Sequence, residues 1–209
     1  QENYNLSFNQ TYLEYEVNLW ETGAIKVYVY DESTGGLING TTINILNTDG
    51  TTDITATMNT SSYYTTINES GNLTITLNGG GYSERVFYEV MTTGRYLVFN
   101  AYLLETANSQ LTTFQILNDI NQLVGGAQLS FYKTINNSLE RVAMAQTDFS
   151  GSVQVNLDNN ALYLLRVTHN DYLQKEVSFI PTATSYQVYL TGTSLAYSNM
   201  FDTINYYFT

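Results

Sequence analysis

The chain has 209 residues, no cysteine, and a net charge of −12 from seven basic and nineteen acidic side chains. That length allows two domains of about 100 residues, each with its own core, and 43% hydrophobic content argues against disorder. The charge excludes nucleic acid, which needs a basic stripe, and disfavours anionic membranes; no apolar run reaches the ~18 residues of a transmembrane helix, so membrane insertion is not expected.

In chain order, residues 1–23 read as an N-terminal arm or an extra strand, because Leu6 and Phe8 alternate, as do Tyr15, Val17 and Leu19. Trp20 stands where a lone indole would seal a domain edge. A first β domain is predicted over 24–105, with strands at Ile25–Tyr30, Thr41–Leu46, Ile54–Met58, Tyr63–Ile67, Leu73–Leu77, Ser83–Val90 and Tyr96–Leu104. Turn residues separate them, among them Thr34-Gly-Gly36, Thr48-Asp-Gly50 and Gly79-Gly-Gly81. A second is predicted over 106–192, with strands at Leu111–Leu117, Ala127–Lys133, Leu139–Gln146, Ser152–Leu157, Leu162–His169, Leu173–Ile180 and Ser185–Leu190. The linker, Leu103–Ser109, is short and lacks Pro, so the two domains are expected to lie close together. Residues 193–209 read as a C-terminal arm or a truncated continuation, too apolar to stay solvated alone. With Gln1 in place of an initiator Met and an abrupt end at Tyr206-Tyr-Phe-Thr209, a mature or partial chain is expected.

The most informative pattern is a repeat. Ile25-Lys-Val-Tyr-Val-Tyr-Asp31 leads through a turn to Gly40-Thr-Thr-Ile-Asn-Ile-Leu46, and Leu111-Thr-Thr-Phe-Gln-Ile-Leu-Asn118 leads likewise to Gly126-Ala-Gln-Leu-Ser-Phe-Tyr132. The period is too long for a solenoid and fits a small sandwich. The fold expected is all-β: two tandem seven-stranded, immunoglobulin-like or transthyretin-like sandwiches with extended arms at both ends. The two copies correspond well at the first two and last three strands, and poorly in the middle.

The second copy carries Ala145-Gln-Thr-Asp-Phe-Ser-Gly151, then Leu162-Tyr-Leu-Leu-Arg-Val-Thr-His169, then Asp171-Tyr172. Thr147-Asp148 begins a turn in which Gly151 supplies a positive φ, and Tyr163, Leu165 and Val167 line one strand face. In these motifs the chain resembles the carboxypeptidase-regulatory-like (transthyretin-like, prealbumin-like) sandwich family. The first copy keeps Gly71, Leu73-Thr-Ile-Thr-Leu77 and Gly81-Tyr82 but lacks the Thr-Asp pair. Through Val29-Tyr-Asp-Glu-Ser-Thr-Gly35 and Gly81-Tyr-Ser-Glu-Arg85 the tandem is similar, more loosely, to structural proteins of tailed viruses or microbial surface filaments. These resemblances imply an accessory, non-catalytic module; fold likeness alone does not assign function.

The sequence offers little to catalysis. Its one histidine, His169, forms a triad on paper with Ser150 and Asp148, but no nucleophile elbow surrounds Ser150. One His and no Cys make no zinc set. Calcium is the one cofactor with candidate ligands, Asp31, Glu32, Asp49 and Asp53, none in EF-hand spacing; turn formation is the preferred reading of these side chains. The nineteen tyrosines and Trp20 suit sugar stacking, giving surface glycans as an alternative partner, though packing between strands is the simpler use. Candidate glycosylation sequons stand at Asn5, Asn9, Asn39, Asn59, Asn68, Asn72 and Asn136.

The sequence thus points to a non-enzymatic structural subunit, extracellular, on a cell surface or in a virion appendage, with copies of itself as partner. Strand addition would join the subunits, through Leu6, Phe8, Tyr15, Val17 and Leu19 at one end and Leu195, Tyr197, Phe201, Ile204, Tyr206 and Phe208 at the other. A glycan-binding adhesin or receptor-binding module is the alternative.

Overall fold

The computed structural model describes residues 23–92 and 94–193. The described residues form fourteen strands and one 3-10 turn. The first seven strands are β1 (Ala24–Asp31), β2 (Thr41–Asn47), β3 (Asp53–Met58), β4 (Ser62–Thr66), β5 (Gly71–Gly79), β6 (Tyr82–Met91) and β7 (Tyr96–Leu103). After the turn at Thr106–Asn108 come β8 (Ser109–Asn118), β9 (Gln128–Ile135), β10 (Ser138–Gln146), β11 (Ser152–Asp158), β12 (Tyr163–His169), β13 (Tyr172–Phe179) and β14 (Ser185–Leu190). Within Phe114–Leu123, residues Phe114–Asn118 are the last part of β8.

The repeat extends to topology. One three-stranded sheet runs β4-β1-β7 and its counterpart runs β11-β8-β14. Opposite them lie four strands in the order β3-β2-β5-β6 and four in the order β10-β9-β12-β13. β1 pairs parallel with β7, and β8 pairs parallel with β14. The irregularity between Leu77 and Gly79, opposite β6, recurs between Val167 and His169, opposite β13. The middle strands, where the sequence repeat fades, therefore occupy matching places: β3 corresponds to β10 and β4 to β11.

Local chemistry explains the matching. Gly40 and Gly126 both have φ of +76° and both precede the second strand of their copy. A Cβ at either would meet nothing within 4 Å, so backbone conformation, not space, calls for glycine. The Asp31 carboxylate accepts hydrogen bonds from the Ser33 and Thr34 amides and, at 3.0 Å, from the Tyr82 hydroxyl. In the second copy Asn118 Oδ1 accepts from the Ile120 and Gln122 amides, and its Nδ2 donates to the Tyr172 hydroxyl. Burial works to raise the Asp31 pKa, but the bonds from Thr34, Tyr82 and Ser33 outweigh it and hold the group below its ordinary value.

Alternation supplies the cores. In β1, β2 and β5 every second side chain is buried, which gives Ile25, Val27, Val29, Ile43, Ile45, Leu73, Ile75 and Leu77 to the first core. Phe114, Leu129, Phe131, Tyr163, Leu165 and Val167 do the same for the second. Ring pairs knit each: Phe87 with Phe99 at 5.6 Å, Phe114 with Phe131 at 5.1 Å.

Candidate functional site: the junction between the sandwiches

The two four-stranded sheets are not separate. β6, the edge of the first, meets β10, the edge of the second, through an antiparallel bridge between Val86 and Met144, making one eight-stranded sheet. Met144 comes from the second sandwich but is buried in the core cluster of the first. In return Tyr102, from β7, is buried in the core cluster of the second, with Tyr30 stacked on it at 5.3 Å. Burial, with Glu140 and Tyr30 nearby, raises the Tyr102 pKa to about 12.

Charge is concentrated where the sandwiches touch. Glu32 follows β1 and is fully buried. Its carboxylate accepts from Arg85 Nη2 at 2.6 Å, lies 3.5 Å from Lys133 Nζ, and accepts a hydrogen bond from the Tyr163 hydroxyl. Lys133 stands 3.7 Å from Asp158, and the Asp158 amide donates to the Tyr163 oxygen at 3.1 Å. Arg85, also buried, donates through Nη1 to the Asn156 carbonyl. Burial, followed by the field of Glu32 and its hydrogen bond, raises the Tyr163 pKa far above the ordinary phenol range. Two residues of the first sandwich, Glu32 and Arg85, thus interlock with four of the second. A buried ion pair is costly to form and costlier to break by halves, so this cluster fixes one relative placement of the sandwiches. At the rim, Arg141 on β10 pairs with Glu89 on β6, and Ser83 Oγ donates to Ser109 Oγ at 3.0 Å.

Among the described residues the second sandwich has no such neighbour on the matching side. Between β13 and β14 a groove of about 230 Å³ opens, floored by Phe114, Leu165 and Val188 and flanked by Lys175, Val177 and Tyr189.

Asp31 and Glu32 sit side by side, the first capping its turn and the second in the junction. Asp49 accepts from the Asn72 amide and side chain, and Asp53 accepts from Asn44 Nδ2. Among the described residues no group of three or more His, Asp or Glu side chains could hold a metal ion. Asp148 accepts from the Ser150 amide and hydroxyl, while His169 Nδ1 accepts from the Asp171 amide; both sets of bonds are local. Gly151 has φ of +65° in the turn that Thr147-Asp148 begins. Asn39, Asn59, Asn68, Asn72 and Asn136 are exposed. Asn5, Asn9, Trp20 and both sets of arm residues lie outside the described residues. Sequence reading missed Arg85, Lys133, Met144 and Tyr102. One signal was available: Arg85 is in phase with Phe87 on β6, a charge on a core-facing register.

No protein-family profile matches the chain, and no curated protein matches it. Among solved structures, the Bacillus anthracis TIE protein aligns at 14% identity and TM-score 0.35, over 82% of this chain and 34% of that one. A Streptococcal ancillary pilin aligns at 13% identity and TM-score 0.36, over 82% of this chain and 62% of that one. The shaft pilin SpaA from Lactobacillus rhamnosus GG aligns at 13% identity and TM-score 0.36, over 83% and 98% of the two chains. The chain spans about a third of the first of these and less than two thirds of the second. Identities and TM-scores this low carry no function to this chain.

Proposed function

We propose that this chain is a non-enzymatic structural subunit of an extracellular assembly, such as a cell-surface filament or a virion appendage, built by β-strand addition between copies. One observation carries the reading: two sandwiches are locked into a single eight-stranded sheet whose outermost strands, β3 and β13, have no partner strand among the described residues beyond the bridge of Tyr172 to Gly192. Unpaired edges offer a row of donors and acceptors to another chain. The buried Glu32 cluster supports it, since an assembly of repeated modules needs a fixed angle between them. The low content of charged residues, 12%, fits an exposed surface of uncharged polar side chains. The alternating residues of 1–23 and the apolar residues of 193–209 would supply further strands for addition between copies. The resemblance of the second copy to carboxypeptidase-regulatory-like modules supports an accessory, non-catalytic role.

The experiment is light scattering on the purified chain over a range of concentration, with negative-stain imaging of the same samples. Mass that grows with concentration and ordered oligomers or filaments support the reading. A mass fixed at 23.5 kDa at every concentration refutes it.

A further inference from the structure

The internal repeat makes a comparison possible between two versions of one surface. The flank of the first sandwich, formed by β6 and β7, is covered by β10. Among the described residues the flank of the second, formed by β13 and β14, carries only the bridge from Tyr172 to Gly192 at the start of β13, as β6 carries the bridge from Tyr82 to Glu105, and is otherwise bare. Strand register aligns them residue by residue. Leu77 opposite Arg85 matches Val167 opposite Lys175, and Ile75 opposite Phe87 matches Leu165 opposite Val177. Asp31 beside Leu103 matches Asn118 beside Leu190, which sets Tyr102 against Tyr189.

Ser83, Arg85, Phe87 and Tyr102 are all buried where the two sandwiches meet or in the core behind. Their counterparts are Leu173, Lys175, Val177 and Tyr189. Leu173 is 45% exposed, Val177 36% and Tyr189 46%, and Lys175 is exposed as well. The bare flank has therefore kept the apolar and basic character of a covered one. Even the acidic partner has a counterpart, since Glu32 follows Asp31 as Asp119 follows Asn118. An apolar groove lined by the exposed Val177 and Tyr189, on a flank that also exposes Leu173, marks an interaction site.

The occupant follows from the same alignment. β10 covers the first flank, and the strand equivalent to β10 is β3. Thr42 opposite Thr57 matches Gln128 opposite Gln146, and Asn44 opposite Thr55 matches Ser130 opposite Met144. β3 is the outermost strand at the other end of the eight-stranded sheet, with Asp53, Thr55 and Thr57 exposed. Among the described residues, then, the two ends of the sheet present the two halves of the junction that the chain already forms inside itself.

Resting on the structural-subunit reading above, we infer that the β13/β14 flank of one copy receives the β3 edge of a second copy, repeating the β6–β10 junction between molecules. The contact is heterologous, head to tail, so it adds copies in one direction. Thr55 of one copy would oppose Glu176 of the next, as Met144 opposes Val86.

Disulfide trapping tests this, because the chain has no cysteine of its own. Directly opposed residues of an antiparallel pair are near enough to be bridged. The full-length T55C and E176C variants are mixed under mild oxidation and run without reductant, with T66C plus E176C as control. The expected result is a T55C–E176C dimer in several-fold excess over either self-dimer and over the control, and a covalent ladder from the T55C/E176C double variant. E176C self-dimers in excess, or no trapping while the native chain still grows in mass by scattering, overturn the head-to-tail contact and leave the subunit reading standing. A native chain that stays monomeric overturns both. As a second measurement, Y189D/V177D, on exposed positions, should keep its strand circular dichroism and lose concentration-dependent growth. Unchanged growth in that folded variant overturns the assignment.

Discussion

Replacing Glu32 by Gln leaves Arg85 buried and charged with no counter-charge against its Nη2, and leaves Lys133 with Asp158 alone. Removing one member of a buried pair costs about 3–5 kcal/mol, since the orphaned charge cannot reach water. A whole domain is stable by only about 5–15 kcal/mol, so the loss is a large fraction. With a urea dependence of about 2.5 kcal/mol per molar, the midpoint should fall by about 1–2 M. The loss sits at the seam, so tryptophan-independent probes of each half should separate, one sandwich melting before the other. The matched control is E32Q/R85M, which removes both charges and keeps the volume filled; it should recover most of the lost stability. A midpoint within about 0.3 M of the native chain for E32Q, or a double variant worse than the single, would refute the claim that this pair locks the two sandwiches.

Met144→Ala should cost about 2–5 kcal/mol, and amide exchange should quicken first in β6 of the other sandwich, because Met144 fills that core. Tyr102 has a folded pKa raised to about 12 above an ordinary value of 10, so its contribution is full below pH 10 and lost as pH rises towards 12; alkaline unfolding followed by tyrosinate absorbance should be shallower in that window for Y102F. Glu69, held down to about 2 by bonds from Thr51 and Thr52, contributes above pH 4.5 and loses that contribution as pH falls to about 2, so E69Q should flatten the acid limb of the stability curve in that range. Gly151→Ala meets a φ of +65° and would bring its Cβ to 2.9 Å from the Val124 amide nitrogen; thermal melting should show a loss of at least about 1–2 kcal/mol.

Strand positions were legible because each half-buried strand writes its face in the sequence. Val153, Val155 and Leu157 alternate with Gln154 and Asn156, and β11 forms there. Tyr163, Leu165 and Val167 alternate with polar neighbours and are all buried. The match between β3 and β10 was not legible. β3, Asp53-Ile-Thr-Ala-Thr-Met58, is an outer edge and is largely exposed, while β10 is sealed against β6 and buries Val142 to Ala145. One strand role carries two burial patterns, so the residues diverge. The junction was also hidden, because its contacts join positions 53 and 101 apart, from Glu32 to Arg85 and to Lys133. Glu32 read from sequence as a turn carboxylate or a calcium ligand, since nothing local marks an acid that will be buried by a second module.

The repeated junction is tested most directly by amide hydrogen exchange on the native chain at low and high concentration, read at β3 and β13 together. Both strands should gain protection as concentration rises, in step with each other and with the mass, while β6 and β10 stay protected throughout. Exchange at Gln174–Val177 that is equally fast at every concentration, in a sample whose β6 and β10 amides are protected, would contradict it.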